Sequence, residues 1–444
     1  MFNLIYILKK KPEVVAVAFQ KISQGGMGFL TSLLIATLIN IEYQGYYFTL
    51  VNFAAAFTLL DLGLSGLLVQ ISASLFAKSK MNNLDFTNSS LSNNFGEFII
   101  WTRKYFLKLS ILYILILPIA YLYFVKSTPN LSDNFWLGPL CMTIFSVALS
   151  IPAYAFLSII EGIGRVKAAY SLRIVIIFLG GLAGLYCIFN NQPLYAPSMI
   201  PLAMSLVVYY WAFTNYKNLL FYKEINSQHS EENWKSSLLT LRNKVKLTTI
   251  ATFLFQSGPT LIIFYYLGPV PAGQIGISIS FLGMIAFISN SFFIAKIPEL
   301  TRLVSLNNHI ASRELFIHEF KRAVGFTLIG YFVWMTLIYL MHEIHHISER
   351  FLSPYDMLLL IMNFIIIQLV TLLNAHSRSQ GFEVMAHPFF NATIFSTAFF
   401  IIFNSHLSVT NLLLSMNIAY LLFCVLPIIK YLLRLKFTIS THNE

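Results

Sequence analysis

Lys21 is a cation set among Ala16, Val17, Ala18 and Phe19 on one side and Gly25, Gly26, Met27 and Gly28 on the other. An ammonium in such surroundings is costly unless it faces a cavity or a partner, or reaches along its own stem to a wet boundary. Facing a cavity, it would attract an anion. Asp61, in the run Leu59-Leu60-Asp61-Leu62-Gly63-Leu64, is the one acidic residue deep in an apolar stretch. It could pair with Lys21, accept a proton in a coupling cycle, or cap a helix break near Gly63 and Gly66. Gln24, Asn52, Gln256 and Asn290 belong to a larger set of amides in apolar stretches. Such amides often join neighbouring helices, and a minority are expected to line a pathway.

Enzyme chemistry has one candidate. His342-Glu343-Ile344-His345-His346 matches H-E-x-x-H, which on a helix offers two His to zinc and a Glu as general base. It falls where an apolar stretch ends, and Glu349, Asp356 and His406 offer a third ligand at no recognisable spacing. An exposed polar turn explains it better, and a membrane metalloprotease is the weaker alternative. The chain has no G-x-x-x-x-G-K-[ST] phosphate loop, its four aspartates are isolated, and Cys141, Cys187 and Cys424 form no CxxC pair. The expectation is a protein that is not an enzyme, with no metal and no cofactor.

The surroundings of these residues define the class. Of the 444 residues, 57% are apolar and only 11% charged, with 41 Phe and 23 Tyr. Soluble domains carry about a quarter charged residues, and a single core stops growing near ~250–300 residues. Composition therefore excludes a soluble globular protein, a disordered chain and a disulfide scaffold. A polytopic membrane protein remains.

A helical span needs roughly 20 apolar residues. Twelve stretches qualify, at about 14–39, 45–73, 105–125, 135–158, 169–189, 197–217, 247–267, 273–296, 323–341, 356–376, 386–404 and 411–433. The first, eighth and eleventh are rich in Gly, Ser and Asn. With both termini cytoplasmic, inner segments carry 26 of the 29 basic residues, and outer loops hold only Lys126 and Arg350. That positive-inside bias sets direction and supports an even span count. It also accounts for the net charge of +11 without nucleic acid. Lys21 then sits about two turns into the first span, roughly 10 Å from the inner boundary. Met1–Leu8 is expected to lie on the inner surface as a short amphipathic anchor, and no cleaved signal peptide is apparent.

Residues 218–246, near the middle of the chain, read as a polar cytoplasmic linker between two six-span halves, 1–217 and 247–444. The halves echo one another. Ser23-Gln24-Gly25 is matched by Gln256-Ser257-Gly258, and Gln44-Gly45 by Gln274-Ile275-Gly276, the glycines lying 233 and 231 residues apart. Even-numbered repeats of this kind would be parallel, about an axis along the membrane normal. Pro118, Pro152, Pro201, Pro259 and Pro427 fall inside spans and are expected to bend them.

The succession Gln24-Gly25-Gly26-Met27-Gly28-Phe29-Leu30, Glu42-Tyr43-Gln44-Gly45-Tyr46-Tyr47 and Leu60-Asp61-Leu62-Gly63-Leu64-Ser65 resembles the opening of Wzx-type O-antigen flippases of the multidrug/oligosaccharidyl-lipid/polysaccharide (MOP) exporter superfamily. Glu161-Gly162-Ile163-Gly164-Arg165-Val166-Lys167 fits the family's short inner loop, and Leu267-Gly268 through Ile297-Pro298-Glu299-Leu300 is similar as well. The resemblance implies an all-α, MATE-like fold: twelve transmembrane helices in two pseudo-symmetric six-helix bundles around a central cavity. It implies an oligosaccharide on undecaprenyl pyrophosphate, an O-antigen or capsule repeat unit, turned from the inner to the outer leaflet of the bacterial inner membrane by alternating access. Lys21 would meet the pyrophosphate, with Lys108 and Arg173 as shallower candidates. Gln24, Asn52, Gln256 and Asn290 would meet the rest of the substrate, and Asp61 would couple protons or hold structure. Expected partners are the lipid-linked oligosaccharide, membrane lipids, and a polysaccharide polymerase and chain-length regulator. A drug exporter of the same superfamily is the nearer alternative.

Overall fold

A computed structural model describes residues 12–78, 93–127, 135–220, 234–294, 296–306, 308–341, 348–380, 382–403 and 407–437. Among these residues there is helix and turn but no strand. The expected surface anchor, Met1–Leu8, lies outside the described residues.

The first half runs through α1 (Pro12–Leu38), α2 (Ile41–Ala55), α3 (Phe57–Asp61), α4 (Leu64–Lys78), α5 (Asn93–Ile114), α6 (Ile116–Ser127), α7 (Leu137–Gly162), α8 (Val166–Phe189), α9 (Ala196–Asn215) and the short α10 (Lys217–Leu220). The second runs through α11 (Trp234–Leu267), α12 (Pro269–Ile294), α13 (Ile297–Ser305), α14 (His309–Met341), α15 (Pro354–Ser379), α16 (Ala386–Phe403), α17 (Val409–Tyr420) and α18 (Leu426–Phe437). Each of the twelve apolar stretches thus contains helix. Among the described residues, nine helical segments are long and apolar enough to cross a membrane, and ten if α2–α3 and α4 count as one bent span. Ala386–Ile402 is apolar but shorter than that measure, and the Gly- and Ser-containing α1 does not meet it. Large apolar side chains such as Ile111, Leu122, Leu182 and Phe332 are exposed. That exposure suits lipid rather than water.

The second span differs from the continuous stretch expected at 45–73. It stops at Ala56 and again at Leu62 and Gly63, both left-handed (φ 51° and 80°), and α4 leaves at 46° to the preceding segment. Left-handed backbone is open to Gly63 and costly for a leucine. The groups freed by the breaks find partners: the Tyr113 hydroxyl donates to the Phe53 carbonyl at 2.7 Å. The prolines act locally. Pro118 follows the break at Leu115, and the π turn Leu421–Val425 comes just before Pro427. Pro427 has no N–H to continue the ladder.

The chain divides into two compact units, Met1–Ile39 with Leu50–Asn243, and Asn40–Thr49 with Lys244–Glu444. The segment expected as a linker is partly helix: α11 begins at Trp234, and residues 221–233 lie outside the described residues. In the first unit, α7 is the central helix, packed by α4, α5 and α9, while α1 packs on α8. Ala153, Leu157, Ile176, Met204 and Val208 form a buried cluster there. In the second unit, α15 has the same role, packed by α12, α14 and α17. Its amides bind helix to helix: Asn363 Nδ2 donates to Leu413 O at 3.4 Å, and Asn417 Nδ2 to Leu359 O at 3.0 Å. These α15–α17 bonds are the interhelical glue expected of membrane amides.

Candidate functional site

Three charged residues of the first unit, Lys21 on α1, Glu161 on α7 and Arg173 on α8, form one group near the end of α7. Glu161 occupies the last turn of α7. The helix stops there because Gly164 turns left-handed (φ 90°) and the Arg165 N–H reaches back to Ile160 O at 3.2 Å. Gly162 lets that end lie directly on α4, since a Cβ there would stand 1.8 Å from Ser72 Oγ. α8 then begins at Val166, so Tyr170 and Arg173 return beside the end of α7.

Arg173 Nη2 donates to Glu161 Oε2 at 2.7 Å, and the Tyr170 hydroxyl donates to Glu161 Oε1 at 3.3 Å. The guanidinium also lies over the Tyr170 ring, 4.6 Å from its centroid. Such stacking is worth about 0.5–1 kcal/mol or more, increasing as the pair is desolvated. Lys21, half-buried on α1, is within electrostatic reach of both Arg173 and Glu161. Two cations and one carboxylate therefore share a mostly apolar neighbourhood, and the group keeps a net positive charge. Tyr154 stands seven residues, or about 10 Å, further along α7. It stacks on Phe57 with ring centroids 5.6 Å apart.

Asp61 has structural partners. Its carboxylate accepts the Ser65 N–H at 3.2 Å and the Ser65 hydroxyl at 2.9 Å, and it is also bonded by the Gly63 backbone. It therefore caps α4 across the break, one of the three roles open to it in the sequence. Gln24 accepts from Gln20 Nε2 at 2.9 Å, one turn along α1 from Lys21. Asn52 lies in α2, just before its end. Gln256 and Asn290 belong to the second unit: Gln256 is exposed on α11, and Asn290 Oδ1 accepts from Gln368 Nε2 at 2.8 Å.

Lys21 and Arg173, both singled out by sequence, are brought together, and Glu161 and Tyr170 join them. The signal for the latter two was the brevity of the turn at 163–165, which forces α7 and α8 to run side by side. Which side chains meet across that hairpin depends on helix rotation, which spacing alone does not give. The His342–His346 run lies outside the described residues. Among the described residues, no group of three or more His, Cys, Asp or Glu could hold a metal ion.

No family model matches the sequence, and no curated protein does. Solved structures do match. An inward-facing multidrug-resistance MATE transporter of the MOP superfamily aligns over 93% of this chain and 99% of its own, with 12% identity and a TM-score of 0.58. The MATE multidrug transporter DinF-BH, solved as a ligand complex, aligns over 94% of this chain and 93% of its own, with 14% identity and a TM-score of 0.59. The fold is that of MOP-superfamily transporters. The lipid II flippase MurJ, in an inward-closed conformation, is similar too: 95% of this chain and 87% of that one, 15% identity, TM-score 0.54.

Proposed function

We propose that this protein is a flippase that carries an oligosaccharide linked to undecaprenyl pyrophosphate from the inner to the outer leaflet of the bacterial cytoplasmic membrane, with both termini in the cytoplasm. The observation that carries the reading is the pair of cations, Lys21 and Arg173, held within an apolar bundle beside the Glu161 carboxylate. A lipid diphosphate is a natural ligand for such a group, because charge-assisted bonds strengthen where water is scarce. Likeness in fold to both a lipid-linked precursor flippase and drug transporters supports transport and leaves the substrate class to the site. Rocking of two halves would supply alternating access. A polymerase and a chain-length regulator are the partners that would consume the flipped product.

The test is complementation of a strain lacking the gene. Lys21→Ala is expected to abolish surface glycan while inserting at the wild-type level, and Lys21→Arg to retain part of it. Full export by Lys21→Ala would remove Lys21 from the mechanism. An intact glycan coat in the deletion strain, with altered drug sensitivity, would favour a small-molecule exporter, a reading open because two of the similar structures are multidrug transporters.

A further inference from the structure

We infer that Glu161 is an internal stand-in for the substrate's anion: it occupies Arg173 in the unloaded protein and is displaced when a diphosphate arrives. The inference rests on the reading that the substrate carries a diphosphate, and it adds the device that loads and releases it.

The geometry is that of a pair made to open. One Nη2–Oε2 bond of 2.7 Å joins the two groups, where a guanidinium and a carboxylate can form two parallel bonds. The side chains remain 26% and 17% exposed, so neither group is sealed inside the protein. The Arg173 plane is already oriented by the Tyr170 ring beneath it, so it need not be reorganised when its partner changes. The Tyr170 hydroxyl is bonded to the other carboxylate oxygen, which gives Glu161 a partner to keep after it lets go of Arg173.

The charges set the direction of exchange. A diphosphate brings at least two negative charges and several acceptor oxygens, enough to answer the charges of both Arg173 and Lys21. A single carboxylate offers one charge and two oxygens. The diphosphate wins while bound, and Glu161 recaptures Arg173 as the ligand leaves. Without the carboxylate, two cations in a poorly hydrated site would hold a diphosphate too long for rapid turnover. With it, a small monovalent anion gains too little to open the pair, so the device also selects for charge.

The experiment uses the purified full-length protein in detergent micelles, titrated with farnesyl diphosphate and, separately, with inorganic pyrophosphate. Glu161→Gln is expected to bind farnesyl diphosphate about threefold to tenfold more tightly than wild type, the factor for no longer opening a partly exposed ion pair. The same variant reconstituted in liposomes is expected to flip a fluorescent lipid diphosphate more slowly. Arg173→Gln should weaken binding, and adding Glu161→Gln to it should change nothing further. Glu161→Asp, which retracts the carboxylate by one methylene, should tighten binding by a smaller factor and serves if Glu161→Gln fails to insert. A response with either probe supports displacement, and a response to farnesyl diphosphate alone makes the lipid part of the ligand. Unchanged or weaker binding by both Glu161 variants, with binding still lost in Lys21→Ala, overturns the displacement and leaves the flippase reading standing. No binding by wild type, or binding indifferent to Lys21→Ala, overturns both.

Discussion

Gln44 and Gln274 donate to consecutive carbonyls of one loop: Gln44 Nε2 reaches Arg350 O at 3.0 Å, and Gln274 Nε2 reaches Glu349 O at 2.8 Å. These are the two glutamines that echo one another in sequence. Each lies in the first two turns of a helix beside a glycine, and both belong to the second unit, where Asn40–Thr49 is counted with Lys244–Glu444. Glycine makes their contact possible. A Cβ on Gly45 would stand 1.9 Å from Pro269 O, and one on Gly273 would stand 2.9 Å from the Gly45 nitrogen.

Gly45→Ala is therefore expected to destabilise the protein by about 1–3 kcal/mol, the usual cost of forcing atoms into a filled interface. The obstacle is backbone, which cannot swing aside as a side chain could. Gly25→Ala is the control. Nothing lies within 4 Å of a Cβ there, so the change should be neutral or slightly stabilising. Equilibrium unfolding in micelles separates the two, and equal stabilities would remove the close approach at Gly45.

Gln44→Leu and Gln274→Leu each remove a donor from a loop carbonyl and are expected to cost about 0.5–1.5 kcal/mol apiece. Because the two bonds hold adjacent residues of one loop, losing the first frees the loop and reduces what the second can contribute. The double variant should then fall short of the sum of the singles. Strict additivity in unfolding measurements would mean that the loop is held by other contacts.

Much of this architecture was legible because the bilayer imposes it. Apolar stretches near 20 residues become helices wherever lipid must be crossed. Those at 135–158 and 356–376 became α7 and α15, the central helices of the two units. The break in the second span was less legible. Gly63 marked it, but Leu62 shares the left-handed turn, and no leucine in a sequence announces that conformation. At the candidate site Lys21 stood out by its surroundings, whereas Glu161 sat in what read as a loop motif. Gln24 and Gln256 echo one another in sequence as well. Gln24 is tied to Gln20 on its own helix, and Gln256 is exposed.

Asp61 separates two mechanisms by one atom. If its work is to cap α4, Asp61→Asn keeps an acceptor for Ser65 and should retain most stability and export. Asp61→Ala should lose about 0.5–2 kcal/mol, as other cap deletions do. If it carries a coupling proton, Asn should be as inactive as Ala. Export by the Asn variant at near wild-type level would end the coupling role, and loss of export in a well-folded Asn variant would end the purely structural one.

Asn290 is a candidate substrate-binding residue whose carboxamide oxygen accepts from Gln368. Gln368 is buried on α15, so removing its acceptor leaves an amide N–H without that bond in a place water hardly enters. Asn290→Ala is expected to cost about 1–3 kcal/mol for that reason. Asn290→Asp keeps the acceptor but adds a charge beside an apolar helix, and should be tolerated less well than its shape suggests. If the role is structural, export should fall only as far as the amount of inserted protein falls. Export lost in an Asn290→Ala protein of normal abundance and stability would instead put Asn290 in contact with the substrate.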